Sequence, residues 1–370
     1  MKKTTFTFLV ALLTLASSAQ TVTTYTDGTP DDAIAIDENG NIYASQFTGD
    51  SVFTFDSNGT ATTFASGMDT PNGLDFDSNG NLYVCDFNAN EILRFDSNGV
   101  LDASITVPGN PSGMIKAWDN DDMIYTRYGA NTINRVTPGG VFTEVSSDAA
   151  LNGPVGLAYD DDNNLYVANY NNREVFKVLP NGDLEYIATV GTVGNLGFIA
   201  YGHGMLWGTG ISDHKIYLID PADIDEVSVY AGSTIGGTDG DISQATFNRP
   251  NGILFSEDET ILYITDFGSK NLRIITGVTL SANDNRLNTN NVQLAPNPAV
   301  DTLHIRINTS EIGDASLKVY DVLGKTLFSS ELILNGNLAS STLDVSAWNS
   351  GTYFVEITSQ NGTITKRFIR

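Results

Sequence analysis

Short apolar runs alternate with polar turns along most of the chain, and this pattern is typical of β-strands. The runs are rich in Val, Ile, Tyr and Phe, and polar residues alternate with apolar ones inside them. Many are bounded by Asn-Gly, Asp-Gly or similar pairs, which favour tight turns. No long stretch repeats apolar residues at helical spacing. The pattern therefore predicts an all-β protein.

A longer phrase recurs about every 40 residues, and its copies begin near residues 30, 71, 111, 154, 195 and 250. Each copy has a Pro or a loop, usually a Gly, an apolar strand, a turn and a second strand resembling Leu-Tyr-Val. In the second copy the predicted strands are Gly73–Phe76, Asn81–Cys85, Glu91–Phe95 and Leu101–Thr106. Four strands in about 40 residues make one propeller blade. The six copies predict a six-bladed β-propeller over residues 20–279.

The two ends of this region are expected to meet. The sixth copy has three predicted strands, and Thr21–Thr26 resembles an outer strand that completes the last blade. Closure of this kind removes a free strand edge. Residues 280–291 are polar and Asn-rich, as in a linker. Residues 292–370 alternate in polarity and predict a small C-terminal antiparallel β-sandwich.

Residues 1–19 have the three parts of a signal peptide. Lys2 and Lys3 are followed by an apolar run that is too short to span a bilayer, and small residues precede Gln20. A buried first strand or a membrane anchor is the alternative. No other stretch is apolar for long enough to cross a membrane.

The predicted turns separate into two kinds. Asp-Ser-Asn-Gly occurs three times in the connections of one propeller face, whereas the second-to-third strand loops of the other face differ from blade to blade. Varied polar loops on a rigid scaffold favour binding. We expect the binding site on this varied face, at the channel mouth. The candidate ligand-binding residues there are Arg127, Tyr170, Arg173 and His214.

The formal net charge is −25, which disfavours nucleic acid and anionic lipid as partners. Cys85 is the only cysteine, so the chain has no internal disulfide, and a buried apolar role is expected for it. The three histidines include His304 of the C-terminal region, which excludes a three-His zinc site inside the ring. We expect a monomer.

Residues 231–274 resemble an NHL repeat. The resemblance is carried by Phe247-Asn248-Arg249-Pro250-Asn251-Gly252, by Tyr263-Ile264-Thr265-Asp266 and by Asn271-Leu272-Arg273-Ile274. The Pro-Asn-Gly copies also resemble six-bladed propellers of the gluconolactonase and strictosidine synthase type. These resemblances cover residues 20–279 and imply a propeller that hosts ligand binding and only occasionally catalysis.

Residues 292–370 resemble the C-terminal sorting domain of type IX secretion cargo from the Bacteroidetes. The motifs that carry this resemblance are Leu294-Ala295-Pro296-Asn297-Pro298, Val319-Tyr320-Asp321-Val322-Leu323-Gly324, Ser350-Gly351-Thr352-Tyr353 and the basic end at Lys366-Arg367. The resemblance implies the type IX machinery as a partner and a secreted or surface-attached protein. An ordinary carbohydrate-binding or immunoglobulin-like sandwich is the alternative.

The gluconolactonase resemblance also implies a divalent metal at the channel mouth, and calcium is the cation that we expect if one is bound. Its candidate ligands are Asp31 or Asp32, Asn72 and Asn251, at inner-strand starts of neighbouring blades. Asp86 or Asp266, at the ends of second strands, would activate water. Val155 and Leu196 replace polar ligands on the far side. The alternative is that these Asn and Asp residues cap turns.

Three functions remain open from the sequence. The first is an exported binding propeller for a glycan, a protein or a small molecule. The alternative is a metal-dependent hydrolase of lactone-like esters, resembling gluconolactonase. The third is a structural surface protein without a discrete ligand.

Overall fold

The computed structural model describes residues 20–26, 28–56, 58–278, 292–308, 312–322, 324–335, 338–359 and 362–370. The predicted signal peptide, residues 1–19, and the predicted linker, residues 280–291, lie outside the described residues. Within the described ranges all regular structure is β-strand, and no helix has the length and apolarity of a bilayer span. The fold class is therefore all-β, as predicted.

Residues 20–278 form six sheets of antiparallel strands, one for each predicted blade. Strand β1 (Thr21–Thr26) precedes the first blade, which contains β2 (Ile34–Ile36), β3 (Ile42–Ser45), β4 (Ser51–Phe55) and β5 (Ala61–Ser66). The second blade contains β6 (Pro71–Phe76), β7 (Leu82–Asp86), β8 (Glu91–Phe95) and β9 (Leu101–Thr106). The third contains β10 (Pro111–Lys116), β11 (Met123–Arg127), β12 (Thr132–Val136) and β13 (Phe142–Ser146).

The remaining blades follow the same order. The fourth blade contains β14 (Pro154–Tyr159), β15 (Leu165–Asn169), β16 (Glu174–Val178) and β17 (Leu184–Thr189). The fifth contains β18 (Leu196–Gly202), β19 (Met205–Gly210), β20 (Lys215–Ile219) and β21 (Val227–Ala231). The sixth contains β22 (Gly240–Asp241), β23 (Pro250–Phe255), β24 (Ile261–Asp266) and β25 (Asn271–Thr276), together with β1.

The inner strands surround a common axis. Strands β2, β6, β10, β14, β18 and β23 each contact the next, and β23 contacts β2. The recurring Pro-x-Gly phrase permits this close approach. A Cβ at Gly113 would collide with the carbonyl oxygen of Val155, and one at Gly252 with the carbonyl oxygen of Asp32. Only glycine therefore lets the inner strands of adjacent blades lie so near to each other.

The ring closes through β1, as predicted. Strand β1 pairs antiparallel with β25, with Thr21 opposite Thr276 and Val22 opposite Ile275. The sequence did not predict β22, which pairs with the other edge of β1 and lies in the long connection before β23. The last blade therefore has five strands, and β1 is held on both sides.

A buried ion pair lies under this closure. Nη1 of Arg273 donates to Oδ2 of Asp266 at 3.0 Å, and Nη2 donates to Oδ1 of Asp239 at 2.6 Å. The side chains of Arg273 and Asp266 are both completely buried. The backbone N and the hydroxyl of Thr24 donate to Asp239 at 2.9 and 3.0 Å. Asp239 thus connects β1 to the arginine of β25.

The C-terminal residues form two further sheets. Their strands are β26 (Val292–Ala295), β27 (Thr302–Asn308), β28 (Ile312–Asp321), β29 (Thr326–Asn335), β30 (Leu338–Asp344), β31 (Thr352–Ser359) and β32 (Gly362–Ile369). The sheet orders are β26-β27-β30 and β29-β28-β31-β32. One apolar core joins them and includes Leu303, Val319 and Phe368. This is the predicted small antiparallel sandwich.

Arg273→Met tests the closure. Because the substitution leaves the Asp266 carboxylate buried without its partner, we expect the propeller to lose about 3–5 kcal/mol of stability. Thermal or urea unfolding measures the loss. The matched control is Arg94→Met, since Arg94 pairs with the half-exposed Asp102 and such surface pairs contribute about 1 kcal/mol or less. Equal losses in the two variants would contradict a special role for Arg273.

Candidate functional site

A cavity of about 250 Å³ lies at the centre of the propeller, and all six blades contribute to its lining. It opens on the face that carries the varied second-to-third strand loops, where the sequence placed the site. Its side chains form two layers. The inner layer, here called the floor, comes from inner strands, and the outer layer, here called the rim, comes from the residues that follow second strands.

The rim is mostly aromatic. Each blade contributes a residue that closely follows its second strand: Phe47, two residues after β3, and Phe87, Tyr128, Tyr170, Ile211 and Phe267, each directly after its strand. Neighbouring rings meet edge to face or tilted, with centroids separated by 5.7 Å for Phe47–Phe87, 6.1 Å for Phe87–Tyr128 and 5.9 Å for Tyr128–Tyr170. Of these residues the sequence analysis named only Tyr170. Their common offset from the Leu-Tyr-Val strand was the signal that could have found the others.

The floor is polar on one side and apolar on the other. Its residues are Asp32, Asn72, Ser112, Val155, Phe198 and Asn251. The structure thus brings together Asp32, Asn72 and Asn251, the predicted polar arc. The prediction of Leu196 at the far side was wrong: Leu196 pairs with Gly210 as Pro71 pairs with Asp86 in the second blade, so it takes the position of the proline and is buried in the core, and Phe198 lines the cavity.

The polar half of the floor contains unsatisfied hydrogen-bond acceptors. Nδ2 of Asn251 donates to Oδ1 of Asp32, and Nδ2 of Asn72 donates to Oγ of Ser112 at 3.1 Å. The other oxygens, Oδ2 of Asp32 and Oδ1 of Asn72, are buried and have no partner among the described residues. A buried acceptor without a donor costs about 1–3 kcal/mol. A ligand that donates hydrogen bonds would satisfy both oxygens.

Burial changes the acidity of the floor. It raises the pKa of Asp32 well above its usual range, the neighbouring Asp31 carboxylate raises it further, and the hydrogen bond from Asn251 opposes both effects. The protonated form of Asp32 is therefore favoured relative to an exposed aspartate. In that form the carboxyl group can donate as well as accept a hydrogen bond. Burial also raises the pKa of Tyr170 on the rim.

Asp31 does not line the cavity. Its Oδ2 accepts a hydrogen bond from the hydroxyl of Thr48, in the second-to-third strand loop of the same blade. Burial raises the pKa of Asp31, and the Thr48 hydrogen bond lowers it. Between the two predicted alternatives, Asp32 is thus the residue that reaches the cavity.

Asp86 and Asp266, the predicted water-activating residues, also lie outside the lining. Oδ2 of Asp86 accepts from the backbone N of Asp69 at 2.9 Å and so fixes the connection that leads into the second blade. Asp266 is engaged by Arg273. Burial raises the pKa of Asp266 to about 6, against the lowering effect of Arg273. Both carboxyl groups are therefore used within the scaffold.

The three other predicted ligand-binding residues lie outside the cavity lining. Arg127 and Arg173 are absent from the lining, and Arg173 donates to the backbone carbonyls of Val190 at 3.2 Å and Gly194 at 3.1 Å. Nδ1 of His214 accepts from the backbone N of Arg249 at 3.1 Å. Arg249 itself lines the cavity. Arg249 was not predicted as a site residue, although it directly precedes Pro250 as Thr70 and Asn110 directly precede the prolines of their blades.

The oxygen ligands on the floor do not fit the divalent metal that the gluconolactonase resemblance implies. Calcium takes about six to eight oxygens. The floor offers one carboxylate, Asp32, and Asn251 already bonds one of its oxygens. Among the described residues, no three His, Cys, Asp or Glu side chains are grouped so that they could hold a metal ion. Many other acids instead cap turns, as Asp77 does by accepting from the backbone N of Asn79 and Asn81.

Asp32→Asn tests the burial of the floor carboxyl. A raised pKa in the folded state stabilises the fold at low pH, and this stabilisation is lost as pH rises through the folded pKa. We expect the melting temperature of the native chain to fall between about pH 5 and 8, and Asp32→Asn to make that fall shallower. Melting curves across this range measure both slopes.

The control is Asp96→Asn. Hydrogen bonds from the backbone of Val100 and Asn98 lower the pKa of Asp96, so its contribution is lost only below the ordinary carboxyl range. Its substitution should leave the slope between about pH 5 and 8 unchanged. A slope that Asp32→Asn does not alter would contradict the assignment.

Two protein families match this chain. The secretion system C-terminal sorting domain matches residues 293–370, and the NHL repeat matches residues 68–95 and 151–178. The NHL matches fall in the second and fourth blades, whereas the sequence analysis placed its most specific resemblance in the sixth.

An endo-acting ulvan lyase from Formosa agariphila is 32% identical over 83 residues, which cover 22% of this chain and 15% of that enzyme. Solved structures show the fold. A gluconolactonase from Xanthomonas campestris has 18% identity and a TM-score of 0.55, over 70% of this chain and 89% of its own. An auxiliary nutrient binding protein from Bacteroides ovatus has 18% identity and a TM-score of 0.58, over 70% and 76%.

These matches agree with the two resemblances that the sequence suggested. The propeller has NHL repeats, and solved gluconolactonase-like propellers share its architecture. The sorting domain implies handling by the type IX secretion system. The chain therefore contains NHL repeats within a β-propeller and, at residues 293–370, a type IX secretion C-terminal sorting domain, which indicates secretion and attachment at the cell surface.

Proposed function

We propose that this protein is a binding propeller of the cell surface, which captures a small hydroxylated molecule, such as a single sugar, in the cavity between rim and floor. The observation that carries the proposal is the pair of buried, unpartnered oxygens on the floor, Oδ2 of Asp32 and Oδ1 of Asn72. Hydroxyl groups are the donors that such oxygens accept.

The rim supports the same class of ligand. Five aromatic side chains surround the opening, and aromatic faces and edges pack against the apolar faces of compact ring-shaped ligands. The cavity volume, about 250 Å³, is near the lower end of ligand pockets, which measure about 300–1,000 Å³. A small ligand therefore suits it better than an extended polymer.

The scaffold also favours binding over hydrolysis. Asp86 and Asp266 make hydrogen bonds or ion pairs within the scaffold, and the floor offers a single carboxylate, that of Asp32. The Bacteroides ovatus neighbour, named as an auxiliary nutrient binding protein, shows that this architecture can serve ligand capture. No observation on the described residues favours the lactonase alternative.

Isothermal titration calorimetry of the mature chain with glucose, galactose, xylose and rhamnose tests the proposal. We expect at least one sugar to bind. Asn72→Leu should weaken that binding by about tenfold or more, because it removes a buried acceptor. Phe87→Ala should weaken it by up to about tenfold through lost ring contact. Phe142→Ala is the matched control, since Phe142 is exposed on β13, an outer strand remote from the cavity.

The same preparations should be offered glucono-δ-lactone with and without calcium. We expect no hydrolysis above the uncatalysed rate. Calcium-dependent hydrolysis, or sugar binding that Asn72→Leu and Phe87→Ala leave untouched, would overturn the proposal.

A further inference from the structure

The mouth of the cavity has one cationic side chain among its lining residues, Arg249. Its side chain is exposed, and the guanidinium carbon lies 4.7 Å from the centroid of the Phe267 ring. Among the described residues, no carboxylate lies within 4.0 Å of this guanidinium. Other buried or partly buried arginines, such as Arg135 and Arg273, are paired with aspartates. Arg249 is thus a cation with its donors available to a ligand.

The backbone holds Arg249 in a fixed and unusual conformation. Its φ is +60°, which side-chain-bearing residues adopt uncommonly. Its N–H donates to Nδ1 of His214 at 3.1 Å, and its carbonyl accepts from the N–H of Phe267 at 2.9 Å. Thr70 and Asn110, which also directly precede a blade's proline, have a similar positive φ, and their carbonyls accept in the same way from the N–H groups of Phe87 and Tyr128, so this conformation belongs to the repeat. These contacts place the guanidinium against the rim.

The charge pattern of the cavity therefore changes from the floor to the mouth. Asp32 and Arg249 are the only ionisable acid and base groups of the lining other than tyrosines. Burial raises the pKa of Asp32, which lessens the negative charge on the floor. In a chain of net charge −25, an unpaired arginine at the opening is a local site for an anion. The planar guanidinium fork matches a carboxylate with two parallel hydrogen bonds.

We propose that the ligand is a uronic acid, a sugar ring whose carboxylate binds Arg249 while its hydroxyl groups reach Asp32 and Asn72. The inference rests on the proposed function, and it adds the charge of the ligand. The ring lies between the aromatic side chains of the rim, so the carboxylate is at the mouth and the hydroxyl groups are at the floor. A neutral sugar makes the floor contacts but leaves the guanidinium unused.

Calorimetry of the mature chain with glucuronate and galacturonate, each compared with its neutral parent hexose, tests the inference. In dilute buffer near pH 7 we expect at least one uronate to bind tenfold or more tightly than its hexose. Arg249→Gln should abolish this preference by lowering the uronate affinity tenfold or more, to about that of the hexose. Salt at about 0.5 M should reduce the preference, because it screens an exposed charge pair.

Lys116→Gln is the matched control. It removes the same unit of charge, and its ammonium lies 3.9 Å from Asp121, in the turn region of the opposite face. This variant should keep the uronate preference of the native chain. A preference that Lys116→Gln also abolishes would show a net-charge effect and overturn the role of Arg249.

The outcomes separate the two proposals. Equal binding of uronate and hexose, or an Arg249→Gln variant that weakens both alike, would overturn the uronic acid inference and leave the binding function intact. Binding of no sugar in either set would overturn the binding function itself. Circular dichroism of Arg249→Gln establishes that the variant is folded, and Arg249→Lys, which keeps the charge but loses the fork, should retain part of the preference.

Discussion

Closure of the ring by β1 is the constraint on which the rest of the structure depends. Thr21 pairs with Thr276, so the two ends of the propeller are joined by backbone hydrogen bonds. Cys85 is the only cysteine and is buried, so no internal disulfide can assist. The buried arginine and its two aspartates add an ionic connection at the same point. Every blade contributes to the cavity, so the cavity has its shape only when the ring is closed.

Within the sixfold repeat, some positions build the scaffold and others line the cavity. Where Pro-x-Gly occurs, the glycine sets the spacing between blades, and the residue before it faces the axis, as Asn72, Ser112 and Asn251 do. The residue one or two positions after each second strand likewise reaches the rim. Side chains at these two positions differ from blade to blade on a similar backbone, although some of them also bond across blades, as Asn72 does with Ser112. As a result, one half of the floor is polar and the other half is apolar.

The fold could be predicted from the sequence because of its repeat. Strand β1, the sandwich and the arc of Asp32, Asn72 and Asn251 were also predicted. Other features depend on contacts between distant residues. No local pattern shows that Asp266 meets Arg273, or that the residues before β23 return to pair with β1. The place of Leu196 in the core, at the position that a proline has in other blades, depends on how β18 pairs with β19. The aromatic residues of the rim follow the second strands at a similar offset. They could have been predicted from the sequence only if the ends of those strands had been known to the residue.

Two buried aspartates of this propeller have different hydrogen-bond partners, and the difference is relevant to function. Asp266 has an arginine within 3.0 Å, and its charge is used inside the scaffold. Asp32 has only the amide of Asn251, and its second oxygen has no partner among the described residues. Oδ1 of Asp266 also has no hydrogen-bond partner among the described residues, but of the two aspartates only Asp32 lines the cavity, where a ligand can reach its oxygen. An unmet buried acceptor costs about 1–3 kcal/mol. A rigid ring can tolerate this cost where a ligand supplies the missing donor, and preorganised acceptors then bind it without further ordering.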